Sequence, residues 1–369
     1  MKQNRTLVNE MFLLRSIACL SILLLHVLDR VYLDSSEAVN GFSVLLTFGT
    51  PAFVFISEFI IAYSYRSRPM TSFWRSRILY IFLPYIFFGI FYAASKAFQQ
   101  TGTGSGFGEA FFTYTWRHLL LGDFHGYFIL IIFQFYALHL LFHSYLKKAS
   151  PKKMLIGSFL VNAAYLSFFN FVPPLNIPFA DYIWWQYYWV PFLGWVFYFT
   201  LAFYSGCYIE SFTALLARFR HWTTAAVIAS GTLSISLYHA GIMPIVSSKR
   251  VDMLLFTVSM ILFLYSHAML LKRIPSFFTW VSQYSFGIYL FHPFYLAVFA
   301  ALSFAWEELP PAVTVPGLFF TCIGLCAGTI YLFNKLPFGA YMVGKVGIRQ
   351  KQPASASAKK LDAPSVKVN

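Results

Sequence analysis

Two polar side chains interrupt the first long apolar stretch of the chain, LLRSIACLSILLLHVL at residues 13–28. Arg15 and His26 are eleven residues apart, which on a helix puts them about 20° apart around the axis and about 16 Å apart along it. A neutral histidine is suited to act as a general base near neutral pH. Each residue also has an ordinary explanation, because Arg15 is close enough to a helix end to snorkel and His26 could bond a neighbouring helix.

A pair of arginines opens the third apolar stretch, WRSRILYIFLPY. Arg75 and Arg77 flank one serine there, and guanidinium groups bind phosphate through two parallel hydrogen bonds. The pair is therefore a candidate site for a donor that carries phosphate. Basic residues also flank membrane spans on the cytoplasmic side for reasons of topology alone, so that explanation stays open.

Further polar groups lie inside apolar stretches. Glu58 in FVFISEFI is costly in lipid unless it is protonated or paired with an arginine or histidine. The stretch YSFGIYLFHPF contains Tyr289 and, just before a proline, His292. His292 falls late in its stretch, at a depth close to that of His26, and we expect both to line one site; an interhelical hydrogen bond is the alternative.

The remaining candidate ligands favour packing over metal binding. His139 and His143 are four residues apart on one helix face, but the zinc pattern H-E-x-x-H is absent from the sequence. We interpret them as packing residues near an interface. The four cysteines (Cys19, Cys207, Cys322 and Cys326) all sit in apolar stretches without histidine or carboxylate close by. We interpret them as small apolar packing residues and expect no metal site.

Composition determines the elements that must carry these groups. The 369 residues are 59% hydrophobic and only 11% charged, far below the charge of a soluble domain. Apolar runs of about twenty residues without strand alternation predict transmembrane helices. The predicted fold is an all-α integral membrane protein whose ten spans lie near 11–31, 42–64, 78–98, 125–146, 154–172, 190–209, 223–245, 253–271, 277–300 and 314–334.

Charge predicts the orientation of these spans. If the N-terminus is cytoplasmic, most of the 27 lysine and arginine residues fall on the cytoplasmic side, as the positive-inside rule requires. With an even number of spans both termini are then cytoplasmic. The net charge of +14 is accounted for by this bias, and we expect no nucleic-acid partner.

Outside the spans, two segments differ in composition from the rest. Residues 348–369 are polar and predicted to be a disordered cytoplasmic tail, which leaves residues 1–347 as a single transmembrane domain. The segment PPLNIPFADYIWWQYYW at 173–189 is densely aromatic. It is typical of an interfacial aromatic belt, and a sugar-stacking surface is the alternative.

Taken in order, these motifs resemble membrane acyltransferase family 3. The resemblance rests on Arg15 and His26 as R-x10-H, on Arg75-x-Arg77 before Pro84-Tyr85, and on Tyr289-Leu290-x-His292. It runs from about residue 8 to 345. Further stretches look like the intercellular-adhesin branch of that family, namely FGTPAFVFIS, LPYIFFGIFY, LLLGDFHGYFILIIFQF and GWVFYFTLAFYSG.

The resemblance implies an O-acyltransferase that moves an acyl group, acetyl or succinyl, from cytoplasmic acyl-CoA to a hydroxyl of an exopolysaccharide or other surface glycan. It implies functional roles for Arg15 and His26 and a donor-binding role for Arg75 and Arg77. No permanently bound cofactor is expected, and a membrane glycosyltransferase is a candidate partner. The chain departs from the family in having Ser57-Glu58 where most members have Ser-Gly, and Tyr127-Phe128 for an aromatic pair with Trp.

Two functions without chemistry remain as alternatives. One is a polysaccharide export protein of the adhesin type, and the other is a structural partner of a synthase. An exporter has no need of a base at His26. A glycan conduit likewise needs no phosphate clamp at Arg75 and Arg77, so these residues favour the enzyme.

Overall fold

The computed structural model describes residues 3–32, 37–66, 73–306 and 308–346. Within these ranges the chain is a helical bundle that contains no β-strand. The predicted tail at 348–369 lies outside the described residues. The helices are α1 (Gln3–Tyr32), α2 (Glu37–Leu46), α3 (Gly49–Ser64), α4 (Phe73–Arg77), α5 (Leu83–Thr101), α6 (Phe107–Trp116), α7 (Tyr127–Lys148), α8 (Pro151–Phe171), α9 (Ala180–Tyr182), α10 (Val196–Cys207), α11 (Ile209–Arg218), α12 (Arg220–His239), α13 (Met253–Ala268), α14 (Ser276–Ala301), α15 (Pro311–Lys335) and α16 (Gly339–Val343).

Every predicted span overlaps one or more helices, although the helices differ in length and polarity. Seven stretches of the described chain are long and apolar enough to cross a membrane. They are Asn9–Tyr32, Glu37–Ser64, Phe73–Thr101, Tyr127–Lys148, Pro151–Phe171, Ser276–Ala301 and Pro311–Lys335. At the other three predicted spans, α10 and α13 are shorter apolar helices and α12 is richer in serine and threonine. The fold is therefore an all-α membrane protein, and ten spans with cytoplasmic termini stay a prediction.

The sixth predicted span begins later than expected, at Val196 instead of 190. Pro191 and a 3₁₀ turn at Phe192–Gly194 interrupt the helix there. The side chain of Gln134 on α7 satisfies the exposed backbone: its amide nitrogen donates to the Val190 carbonyl at 2.9 Å, and its oxygen accepts from the Phe192 N–H at 3.0 Å. An interrupted helix is tolerated in a bundle when a neighbour pairs its free backbone groups in this way.

The seventh predicted span ends earlier than expected, at His239 instead of 245. The loop that follows folds inward around Arg250, whose side chain is fully buried. Its guanidinium donates to the Asp252 carboxylate at 2.9 and 3.0 Å and to the Ser234 carbonyl at 2.8 Å. A buried arginine needs such partners, and they hold this loop against the end of α12.

The third span contains a π-helical turn at Ile78–Phe82, between α4 and α5. Pro84 follows it, and proline lacks an N–H and crowds the carbonyl four residues back, here that of Tyr80. The wider turn accommodates this proline. It also sets the directions of the residues around it, which include Arg77 and Tyr80.

Helix α1 lies at the centre of the bundle, in contact with α14, α3, α13, α15 and α2. Gly49 at the start of α3 permits one close approach, because a Cβ there would lie 2.5 Å from the Ala18 carbonyl oxygen. On its other side α1 packs on α14, where the Cys19 thiol lies 3.8 Å from the Ser285 carbonyl oxygen. This central position brings the polar face of α1 against both α3 and α14.

Candidate active site: a basic cavity leading to a histidine cluster

His26 and His292 lie in contact across the α1–α14 interface. Their rings stack with centroids 5.3 Å apart and planes 26° apart. His26 has 45% of its side chain exposed, whereas His292 is buried. The expected proximity of the first and ninth spans is therefore present. The ring of His26 is accessible from outside the bundle, and the ring of His292 lies in its interior.

The partners of the two rings differ. The Nδ1 atom of His26 lies 3.5 Å from an oxygen of Asp29, one turn further along α1. The Nδ1 atom of His292 lies 3.0 Å from the Ile288 carbonyl oxygen, which can only accept, so this nitrogen carries the proton. The Nε2 atom of His292 is buried and has no hydrogen-bond partner among the described residues. It is thus a lone-pair acceptor without a protein donor, beside His26.

A third histidine, His125, completes the cluster. Its ring lies edge-on to that of His292, with centroids 6.0 Å apart, and edge-on to Tyr92 at 4.6 Å. Its Nε2 is also buried without a partner in the described part of the chain. Sequence reasoning missed His125, although its place between two glycines at the start of the fourth span, in LLLGDFHGYF, put it at the level of His26.

Tyr289 connects this cluster to the interior of the bundle. Its hydroxyl donates to the backbone carbonyl of His125, and its ring contacts that of Phe128 edge-on at 6.1 Å. The hydroxyl is thus already engaged in holding the α7 end against α14. The arrangement supports a positioning role for Tyr289, which the sequence marked as a candidate site residue.

Beneath the histidines a cavity of about 370 Å³ opens toward the other end of the bundle. Three cations line it, Arg15 from α1, Arg77 from α4 and Lys345 from the segment after α16. No lining residue in the described part of the chain is an aspartate or glutamate. Three cations without a carboxylate favour a ligand with several negative charges. We call the end of the bundle with Arg77 and Lys345 the basic end, and the end with His26 the histidine end.

A much smaller space lies beside His292 and shares part of its wall with this cavity. It has a volume of about 10 Å³ and shares Ile22, Phe53 and Tyr289 with the lining of the larger cavity. Its remaining wall includes Cys19 and His292. A space of this size holds about one water molecule. The space between the cavity and His292 therefore has room only for a very small group.

The two predicted donor arginines do not share an environment. Arg77 is half-buried, lines the cavity, and places its guanidinium 4.2 Å from the centre of the Phe73 ring. Arg75 is exposed and is not part of the lining. Residues two apart on a helix point about 200° apart, so only one of the pair can face the cavity. Lys345, which the sequence analysis did not single out, lines the cavity as well.

Glu58 does not line the cavity but lies behind it, fully buried, with a histidine partner. One of its carboxylate oxygens lies 2.5 Å from Nδ1 of His139. His143 continues the row, with its ring 4.9 Å from that of His139. The expected pairing of Glu58 is thus present. The interpretation of His139 as an interfacial packing residue is wrong, because a carboxylate inside the bundle requires a buried partner.

The aromatic segment at 173–189 is partly core and partly surface. Trp184 and Tyr188 are buried, whereas Trp185 is 67% exposed. The Tyr182 hydroxyl donates to Asp123 at 2.5 Å, and Asp123 also accepts from Arg117 at 2.7 Å. These contacts tie the segment to the residues just before His125. Among the described residues no group of three or more His, Cys, Asp or Glu side chains is arranged to hold a metal ion.

Comparison with known proteins establishes the class. The model of the family described as "Acyltransferase domain" matches residues 8–331, and the chain belongs to this family. It is a multi-pass membrane acyltransferase, bacterial as judged from its relatives.

Two relatives show the range of the family around this chain. A Bacillus subtilis (strain 168) protein named "Putative membrane-bound acyltransferase YfiQ" is 39% identical, over 92% of this chain and 95% of the relative. A Staphylococcus aureus (strain MSSA476) protein named "Probable poly-beta-1,6-N-acetyl-D-glucosamine export protein" is 27% identical, over 91% of this chain and 95% of the relative. No solved structure matches the chain.

Proposed function

We propose that the protein transfers an acetyl group from acetyl-CoA, bound at the basic end, to a hydroxyl of a cell-surface polysaccharide at the histidine end. The observation that carries the proposal is the order of the parts along the bundle: the cavity lined by Arg77 and Lys345 shares wall residues with the small space at His292, and His292 stacks on His26. The positive-inside bias supports a cytoplasmic basic end, on the side of the membrane where acyl-CoA is made. The histidine end then faces outward.

The donor would keep its charged nucleotide at the basic end and extend only its thin pantetheine arm into the bundle. Charged phosphates pair with Arg77 and Lys345, where guanidinium and ammonium groups suit them. Apolar residues such as Ile61 and Ile132 line the interior of the cavity and suit an uncharged arm. The thioester would then lie near Tyr289, below the histidines.

His26 is suited to be the general base. Its Nδ1 faces the Asp29 carboxylate, which favours a proton on that nitrogen and leaves Nε2 free to accept one. Nε2 takes the proton of the sugar hydroxyl as its oxygen attacks the thioester carbonyl. A C–O bond forms, the C–S bond breaks, and the proton from His26 neutralises the leaving thiolate. The products are the acetyl ester and free CoA, so atoms and charge balance.

His292 is suited to orient the acceptor. Because its Nδ1 proton is engaged by the Ile288 carbonyl, its Nε2 can only accept a hydrogen bond, as from the incoming hydroxyl. The small volume beside it favours acetyl over succinyl, since a space for about one water fits a methyl group and not a carboxyethyl chain.

A polysaccharide acceptor is supported by the printed name of the staphylococcal relatives, which refers to a β-1,6-linked N-acetylglucosamine polymer. Their name also raises export as the second candidate function. The narrow space beside His292 argues against it, because a sugar ring is far larger than one water molecule.

The deciding experiment compares surface polysaccharide from wild-type cells, deletion cells and deletion cells that carry the gene, by mass spectrometry with and without mild alkali. We expect alkali-labile acetyl esters that disappear in the deletion and return on complementation. Unchanged esters together with polymer retained inside deletion cells would contradict the proposal and support export.

A further inference from the structure

The chain returns to the mouth of the cavity after its last long helix. Helix α16 packs against α15, α5 and the π-helical turn Ile78–Phe82. The three residues that follow it run past the same turn, with Lys345 in the middle. A segment more than 250 residues away in sequence thereby joins the site that Arg77 opens.

The backbone on both sides of Lys345 is fixed by one side chain. The amide nitrogen of Asn334 donates to the Ile330 and Gly344 carbonyls at 3.0 and 3.2 Å, and its oxygen accepts from the Val346 N–H at 3.2 Å. Gly344 has φ +83°, a conformation that favours glycine. Two hydrogen bonds between Asn334 and the residues on either side of Lys345 therefore hold the lysine at a set position against the cavity.

Lys345 lies beside a flat aromatic surface. The rings of Tyr80 and Tyr341 stack with centroids 5.6 Å apart and planes 18° apart. The Nζ atom of Lys345 lies 5.5 Å from the centre of the Tyr80 ring. Lys345 is exposed, whereas Arg77 is half-buried, so the lysine lies further toward solvent along the route into the bundle.

We infer that Lys345 binds the 3′-phosphate of the donor's nucleotide, with the Tyr80–Tyr341 pair beside its purine base. The inference rests on the proposed function and assigns the donor's 3′-phosphate to one of the two cations of its donor site. In acyl-CoA the nucleotide and its 3′-phosphate lie at the end opposite the thioester. The outermost cation is therefore the one to meet that phosphate, while Arg77, further in, meets the diphosphate. Aromatic rings offer a purine a stacking surface.

The test measures the dissociation constants of CoA and 3′-dephospho-CoA with the purified full-length protein in lipid nanodiscs. Lys345→Ala should weaken CoA binding about tenfold, the size of one charge-assisted hydrogen bond, and leave dephospho-CoA binding within about twofold. Lys335→Ala is the matched control, since Lys335 lies over the Tyr331 ring and outside the cavity lining. It should change neither constant.

Each other outcome has a distinct meaning. If Lys345→Ala lost affinity equally for CoA and dephospho-CoA, or lost affinity for neither, the assignment to the 3′-phosphate would be overturned. CoA binding by the wild type would still uphold the donor of the proposed function. Absence of CoA binding in the wild type would overturn the donor of the proposed function and this inference with it. Tyr341→Ala should weaken the binding of CoA and dephospho-CoA by a similar factor. An unchanged affinity would show that the purine base does not lie beside the Tyr80–Tyr341 pair.

Discussion

The imidazole of His26 stacks on the imidazole of His292, with ring centroids 5.3 Å apart, although 266 residues separate the two in the chain. One ring is exposed beside Asp29 and the other is buried with its Nδ1 proton held by a backbone carbonyl. The pair therefore presents two ring nitrogens of different accessibility, of which that of His292 lies beside the small space next to the cavity. An acceptor hydroxyl can be deprotonated by the first and oriented by the second.

His26→Ala should lower acyl transfer by about 10²–10⁴-fold, the usual contribution of a general base, with the protein still folded. Transfer is measured as ester formed from radiolabelled acetyl-CoA by the purified protein with polysaccharide acceptor. His221→Ala serves as the control, since His221 is exposed at the start of α12. Normal ester formation by His26→Ala would remove His26 from catalysis.

His292→Gln separates orientation from proton transfer. Glutamine retains hydrogen bonding but does not titrate near neutral pH. If His292 orients the hydroxyl, the variant should keep measurable activity, with a raised KM for the acceptor and an unchanged KM for acyl-CoA. Complete loss of turnover in a protein with unchanged thermal stability would instead assign proton transfer to His292.

Arg77→Ala and Arg75→Ala should behave differently. Arg77 lines the cavity, and a charge-assisted hydrogen bond contributes about 1.5–3 kcal/mol, so its loss should weaken acyl-CoA binding about ten- to a hundredfold. Arg75 lies outside the lining, and its loss should leave the affinity within about threefold. Isothermal titration with CoA measures both. Equal losses in the two variants would contradict the placement of Arg75, and Arg77→Lys should restore only part of the affinity.

The buried Glu58–His139 pair should couple in stability. Either single variant, Glu58→Leu or His139→Leu, leaves one polar partner buried alone, which costs about 3–5 kcal/mol. The double variant removes both polar groups and should recover most of that loss. Thermal unfolding of the detergent-solubilised protein measures the stability of the wild type, the two single variants and the double variant, which together form a double-mutant cycle. Losses that simply add would show that the 2.5 Å contact contributes nothing to the fold.

Phe53 should control the length of the acyl group. It borders both the large cavity and the small space beside His292, and a difference of one or more methylenes in such a pocket is worth about 10- to 200-fold in rate. The wild type should transfer from acetyl-CoA at least about tenfold faster than from succinyl-CoA. Phe53→Leu should reduce this difference in rate. Phe320→Leu, which is 60% exposed on α15, is the control. A wild type without preference would refute the size argument.

Local features of the site followed from sequence because they depend on helix periodicity alone. Arg15 and His26 share one face of α1 by their spacing, and the same rule separates Arg75 from Arg77, although the motif R-x-R suggested a single clamp. The two span boundaries that were wrong depended on distant partners. Gln134 on α7 hydrogen-bonds the free backbone groups at the break before α10. Arg250 holds the loop after α12 against that helix.

The sequence by itself determined an all-α membrane protein, its family, and the shared face of Arg15 and His26 on α1, since apolar run length, residue spacing and motif order are properties of the linear chain. Only the tertiary structure decided that His292 stacks on His26, that His125 joins them, that Glu58 pairs with His139, and that Lys345 lies with Arg77. These contacts depend on which helices pack together and at what rotation. In a bundle whose helices are apolar on most faces, the hydrophobic pattern does not specify that rotation, and the few buried polar groups do so through contacts made across long stretches of sequence.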